Sequence, residues 1–329
     1  MQTARHYRLV RPDQALAMRG LRVLVGGPES AAGLSANSDL EVQRKIEGFL
    51  AYAHSIALDI TRQVLALESP PDRPPAGDAV AHGERIAGMC LWVPSAGRTA
   101  MLFAPSLTEF PQAAAASQAA IGGALEDARA SGVALVQAMM EPADGAGKSV
   151  FAAAGLTQLA TLTYMERKPP VQPPPVSLPA DLVLAPYEAS THEQFKKAIL
   201  ASYQETLDCP AMSGLRDAED VIAGHKAVGP FDPQLWSVML RGGRPVGCLL
   251  LAALPARHAL ELVYLGLASE VRGQGIGRLL MNRVLAIASR RQFDWATLAV
   301  DASNHPAVKL YRRCGYSSVA QRVAMIRKL

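Results

Sequence analysis

Leu262-Val-Tyr-Leu-Gly-Leu-Ala-Ser-Glu-Val-Arg272-Gly-Gln-Gly-Ile-Gly-Arg-Leu-Leu280 decides the fold. An apolar run of strand character passes into a turn that holds Gly273, Gly275 and Gly277. Leu279, Leu280, Val284, Leu285 and Ile287 then recur at helical spacing and predict a helix over 277–290. Glycines at such a turn let the chain bend tightly and let a ligand approach main-chain N–H groups. Those groups would leave a helix N-terminus, where the dipole also favours an anion. The arrangement predicts a cradle for a phosphate or diphosphate, with Arg272 and Arg278 adding charge at its rim. Neither the GxxxxGK[ST] nor the GxGxxG pattern of other nucleotide sites is present.

Around this segment the same reading predicts strands over 182–186, 235–241, 245–254, 259–267, 295–300 and 318–325. Helices are predicted over 193–203, 218–226 and 306–313. Gly242-Gly243 is a hairpin signal between two of the strands. The order is that of an α+β fold, a mostly antiparallel sheet with one strand-helix-strand crossover and helices on its faces. The pattern occurs twice. Shifted by 160 residues, Met165-Glu-Arg-Lys168 falls on Met325-Ile-Arg-Lys328, Gly155 on Gly315 and Phe151 on Tyr311. First-half helices are expected over 113–130 and 147–154. Between the repeats lies Lys168-Pro-Pro-Val-Gln-Pro-Pro-Pro, an extended spacer by composition. The expected division is therefore residues 1–168, a Pro-rich linker over 169–180, and residues 181–329. A second Pro-rich stretch, residues 69–75, is expected to be a surface loop.

Arg272, Gly275 and Gly277 match the [Gln/Arg]-x-x-Gly-x-[Gly/Ala] signature of the GNAT (GCN5-related N-acetyltransferase) superfamily, which the sequence resembles here. A second run, Asn304, Ala307, Leu310-Tyr311 and Gly315-Tyr316, resembles that family's N-x-x-A-x-x-L-Y-x-x-x-G-[Phe/Tyr] stretch. The tandem arrangement, with the motifs in the C-terminal half, is similar to that of mycothiol synthases. The resemblance implies two tandem GNAT-like domains and acetyl-CoA as co-substrate, with no metal. It implies that Arg272, Gly273, Gln274, Gly275, Ile276, Gly277 and Arg278 hold the diphosphate. It also implies that the strand splays from its neighbour, with main-chain groups of Leu265, Gly266 and Leu267 along the pantetheine arm. Asn304 would hydrogen-bond that arm. Tyr311 would sit beside the sulfur and protonate the departing thiolate; the alternative is a core aromatic on an amphipathic helix. Cys314 reads as helix-end packing rather than a nucleophile, because the family transfers the acyl group directly.

An acceptor amine is protonated near neutral pH and must lose a proton before it attacks. Glu261 opens the deciding strand, as a glutamate does in histone-acetylating members, and is the expected base; the alternative is a strand-end glutamate facing water. Glu205, Asp208 and His225 are further candidates from the acceptor side. Tyr203, Glu205, Asp208 and Arg216 are the expected acceptor-binding residues: the acids attract a cationic amine and Arg216 holds a carboxylate. In the first half, Gln112 keeps the signature's first position. Ala115 and Ser117 replace both glycines, Phe151 replaces the tyrosine and Asp144 stands for Asn304. That half is expected to fold without catalysing.

The chain has 329 residues with 33 Lys and Arg against 29 Asp and Glu. No basic run exceeds a pair and aromatics are scarce, which argues against a nucleic-acid partner. No apolar stretch is long enough to span a bilayer, and the N-terminus shows no apolar signal core. Four scattered cysteines suit a reducing cytoplasm. The expected activity is transfer of acetyl to a small-molecule amine, by a monomer or homodimer. Acyl-CoA binding without turnover and protein N-acetylation are the alternatives.

Overall fold

The structure is a computed structural model and describes residues 7–27, 36–55, 58–68, 84–108, 110–173 and 175–329. The Pro-rich loop expected over 69–75 lies outside them. The chain forms two compact units, one of Met1–Gln158 with Ala324–Leu329 and one of Leu159–Val323.

In the first unit β1 (Arg8–Val10) and α1 (Gln14–Gly26) precede α2 (Ala36–Ser55) and β2 (Gln63–Glu68). Then come β3 (Arg85–Ser95), β4 (Thr99–Phe103), α3 (Ala114–Ala130), β5 (Leu135–Met140) and α4 (Gly145–Ala153). Strands β1 to β4 pair antiparallel in sequence order, and β4 pairs parallel with β5 across the α3 crossover. Leu21, Leu65, Leu67, Met89 and Leu91 fill its core.

The second unit takes in most of β6 (Thr157–Arg167). It continues with β7 (Leu182–Pro186), α5 (His192–Tyr203), α6 (Ala218–Lys226), β8 (Trp236–Arg241) and β9 (Arg244–Leu254). After these come β10 (Ala259–Leu267), α7 (Ile276–Arg290), β11 (Trp295–Asp301), α8 (His305–Arg313) and β12 (Ser317–Lys328). Strands β7 to β10 pair antiparallel, β10 pairs parallel with β11, and β11 pairs antiparallel with β6. This is the expected α+β architecture, made twice. β4 and β10 start at 99 and 259, β5 and β11 at 135 and 295, α4 and α8 at 145 and 305, β6 and β12 at 157 and 317: 160 residues apart each time.

The units do not divide at the Pro-rich stretch as expected. Arg167 pairs with Ala296 and Leu162 with Asp301, so the strand ahead of the linker completes the second unit's sheet. The chain end does the same for the first unit, where the Leu329 N–H donates to the Ala134 carbonyl at 2.9 Å. The repeated Met-x-Arg-Lys ending has a physical reason in this exchange. Arg167 donates to the Cys314 carbonyl at the C-terminus of α8, and Arg327 to the Ala154 carbonyl at the C-terminus of α4. Each guanidinium satisfies a helix-end carbonyl and complements the negative pole of the dipole.

Candidate active site

β10 and β11 pair from Ala259↔Trp295 to Leu262↔Leu298 and no further, although β10 runs on to Leu267 and β11 to Asp301. A parallel pair that stops pairing while both strands continue leaves main-chain groups unsatisfied along its inner edges. A cleft of about 640 Å³ opens there. Leu265, Gly266 and Leu267 line one side; Asn304, Ala307 and Leu310 line the other.

A bulge between Leu262 and Tyr264 shifts β10 against β9, so Tyr264 faces the same side as Glu261. The Tyr264 hydroxyl lies 2.7 Å from Ser202 Oγ on α5, and its ring stacks on His225 at 5.3 Å. Burial raises the phenol pKa of Tyr264 and pulls His225 down to about 4, so His225 is neutral at pH 7. The sequence reading did not single out Tyr264, because strict alternation would place it on the opposite face.

The floor of the cleft is the glycine turn. Gly273 and Gly275 have φ of 76° and 79°. A Cβ at either would meet no protein atom within 4 Å, so local packing does not require glycine there. The left-handed backbone favours it, and the open space lies where a ligand would approach. Gly275 N-caps α7 without a side-chain hydrogen bond, leaving the first helical N–H groups unsatisfied by any cap. A Cβ on Gly277 would stand 3.1 Å from the Leu310 side chain. Gly273, Gly275, Gly277 and Arg278 line the cleft. The Ile276 side chain is core, and the Gln274 side chain bonds Arg241 and the Glu270 carbonyl.

Arg272 does something other than charge the rim. Its Nε donates to the Leu267 carbonyl at 3.0 Å and its Nη1 to Glu205 at 2.9 Å. Its Nη2 reaches the carbonyls of Ser202 at 2.8 Å and Gln204 at 2.9 Å. Four of its five donors thus tie the C-terminal end of α5 to the end of β10. Besides Arg272, the cations that line the cleft are Arg278, Lys309 and Arg313, and none of these three has an ion-pair partner among the described residues. Lys309 and Arg313, one turn apart on α8, were missed; the only signal was the basic spacing of that helix.

Asn304 lines the cleft while its Oδ1 caps α8 by accepting from the Ala307 N–H at 3.2 Å, which leaves its amide NH₂ for a ligand. Asp144 caps α4 in the same way, accepting from Gly147 at 2.7 Å, so its place in the first half is accounted for structurally. Tyr311 is 8% exposed, packs 6.3 Å from Tyr316 and lies behind the lining residues. Burial raises its phenol pKa, and the Asp208 carboxylate adds to the rise.

Glu261 stands opposite Thr297 in the paired part of β10, accepts from the Thr297 hydroxyl, and is not a lining residue. Burial raises its pKa, with Thr297 and Arg257 opposing. Of the expected acceptor residues, Glu205 and Asp208 line the cleft. The Tyr203 ring lies 6.4 Å from Tyr264, and Arg216 Nη2 donates to the Asp220 carbonyl at 2.5 Å, outside the lining. Burial raises the Cys314 thiol, consistent with packing rather than attack.

In the first unit the equivalent helix start is closed. Ser117 is fully buried, its hydroxyl has no partner among the described residues, and a Cβ on Gly88 of β3 would come within 2.6 Å of the Ala116 and Ser117 backbone. A cavity of about 700 Å³ in that unit lies at the other end of α3, beside Arg129 and Arg327, and is not lined by Gln112, Ala115, Ser117, Asp144 or Phe151.

Residues 201–316 match the acetyltransferase (GNAT) family. The mycothiol acetyltransferase of Streptomyces bingchenggensis is 34% identical over 104 residues, and that of Jonesia denitrificans 32% identical over 80. The matched stretches span 32% and 26% of those proteins, and 32% and 24% of this chain. A GCN5-related N-acetyltransferase from Sphaerobacter thermophilus shares the fold, with a TM-score of 0.56, 19% identity, and coverage of 98% of this chain and 95% of that one. The glycine turn and the Asn304 to Tyr316 run both fall within residues 201–316, the part of the chain that is similar to the acetyltransferase (GNAT) family.

Proposed function

We propose that the second unit transfers an acetyl group from acetyl-CoA to the amine of a small-molecule acceptor. The observation that carries this is the coincidence of three features in one cleft. They are helix-start N–H groups without a side-chain cap at glycines with open Cβ space, cations without ion partners among the described residues, and two strands whose edges are free of each other. Each fits one part of the co-substrate. The N–H groups from Gly273 to Gly277 would hold the diphosphate. Arg278, Lys309 and Arg313 would face its remaining phosphate charge. The free edge at Leu265–Leu267 offers main-chain partners to an amide-bearing arm, as an added strand would find.

Bound there, acetyl-CoA supplies the activated acyl group. The protein's work is then to position, desolvate and move protons. Asn304 orients the arm through its amide. Tyr311, with a phenol kept protonated by burial, donates to the leaving sulfur. The acceptor enters past Tyr203, Glu205 and Asp208. The first unit, whose helix start is closed by Ser117 and β3, has no part in the chemistry. The test is release of free thiol from acetyl-CoA over an amine panel. Turnover that Gly275→Glu abolishes and Ala115→Glu spares supports the reading; no release with any amine, or the reverse pattern, refutes it.

A further inference from the structure

The structure assigns the proton-accepting role to Asp208, on the segment between α5 and α6, and through it a preference for acceptors that arrive as free cations. This rests on the acetyl-transfer reading above. Asp208 is placed where the reaction would occur. It lines the cleft with the Tyr264–Leu267 edge of β10, and its Oδ1 lies 3.4 Å from the Asp301 N–H at the end of β11. It therefore contacts the β11 side of the splay and shares the cleft with the β10 edge. Glu261 lies back in the paired part of the strands, with its carboxylate turned to Thr297.

The neighbouring carboxylate is already committed. Asp301 Oδ1 accepts from the Ser303 N–H at 2.9 Å and its hydroxyl at 2.8 Å, and Oδ2 accepts from the Cys209 N–H at 3.2 Å. Asp208 has only the long contact to Asp301 N–H and no ion-pair partner among the described residues. An acid without a cation, beside a second acid, is a place for an ammonium group. Glu205 is the other acid lining the cleft and is exposed like Asp208, but its main chain is tied to Arg272 and only Asp208 contacts the end of β11. His225 is not a lining residue, and its ring is stacked on Tyr264.

The groups that face Asp208 are Tyr203 from α5, Tyr264 from β10, Tyr311 from α8, Cys209 beside it and Asp301 from β11. None is cationic. Water reaches Asp208 from the open side, yet desolvation by the wall raises its pKa. The Asp301 N–H opposes this and the Asp301 carboxylate adds to it. Raising a carboxyl toward neutrality makes it a better base near physiological pH.

The proton balance is simple. Asp208 takes one proton from the ammonium, which frees the nitrogen lone pair. The nitrogen forms its bond to the acetyl carbonyl carbon as the carbon–sulfur bond breaks and the electron pair leaves with sulfur. The second nitrogen proton ends on the thiolate, through Tyr311, and Asp208 returns its proton to water.

The test compares Asp208→Asn with Glu261→Gln in the full chain, using spermidine, tyramine, glucosamine and lysine amide as probes. For Asp208→Asn, kcat/KM should fall about 10²–10⁴-fold. The acid limb of its pH profile should vanish, and acetyl-CoA affinity by calorimetry should stay within about threefold. The loss for Glu261→Gln should be smaller. A larger loss for Glu261→Gln, or an acid limb that survives in Asp208→Asn, overturns the assignment while leaving acetyl transfer intact. Wild-type protein that binds acetyl-CoA and turns over none of the four amines overturns both.

Discussion

Gly275→Ala separates the two reasons for a glycine in the cradle. At φ 79° an alanine pays the left-handed penalty, roughly 1–2 kcal/mol. No protein atom lies within 4 Å of the new methyl, so no clash adds to it. For a unit spanning Leu159–Val323, that strain lowers Tm by roughly 2–8 °C, at about 2–4 °C per kcal/mol. The free and bound proteins carry the same strain, so it cancels from the affinity. What does not cancel is the methyl itself, which stands where an anion would meet the helix-start N–H groups. Losing one or two charge-assisted hydrogen bonds of about 1.5 kcal/mol each weakens binding roughly ten- to hundred-fold. Calorimetry of acetyl-CoA with both proteins, beside thermal melts, reads the two effects separately. A lowered Tm with an unchanged Kd would mean that the glycine serves only the turn, and the cradle would be refuted.

Four further outcomes are expected. Tyr311→Phe should lower kcat about tenfold or more while acetyl-CoA affinity holds, and an unchanged kcat over the amine panel removes its acid role. Arg272→Ala should cost about 2–3 kcal/mol in urea unfolding, since two of the carbonyls it leaves are partly buried, and should raise KM for amines more than Kd for acetyl-CoA. A carboxyl whose pKa rises on folding gives stability that is complete at low pH and lost as pH climbs through the folded value. Asp208→Asn should therefore raise Tm at pH 7.5 and lose that advantage as pH falls toward 4, as scanning calorimetry at several pH values would show. Calorimetric stoichiometry should be one acetyl-CoA per chain, whereas two sites would mean that the first unit's closed helix start opens to a ligand.

The parts of the site visible in sequence are those built from neighbours along the chain. The Arg-x-x-Gly-x-Gly turn, the strand before it and the Asn304 cap each lie within a few residues of the groups they serve, so their spacing carries the geometry. Arg272 shows where this stops. It is read correctly as a motif residue, yet its partners at Ser202, Gln204 and Glu205 lie about seventy residues away, and only the fold brings them to its side chain. Tyr264 was hidden by a bulge that reverses the strand's alternation, which no spacing rule reveals. The strand exchange was hidden differently. The Pro-rich stretch is a spacer by composition, but the boundary follows backbone pairing of β6 with β11, and composition does not report pairing.

A crystal structure of the full chain with acetyl-CoA tests the central claim most directly. The account predicts the diphosphate within hydrogen-bond distance of main-chain N–H groups between Gly273 and Gly277, with the acyl end between β10 and β11 near Asp208. A cofactor seated elsewhere, with that turn vacant in a fully loaded crystal, would contradict it.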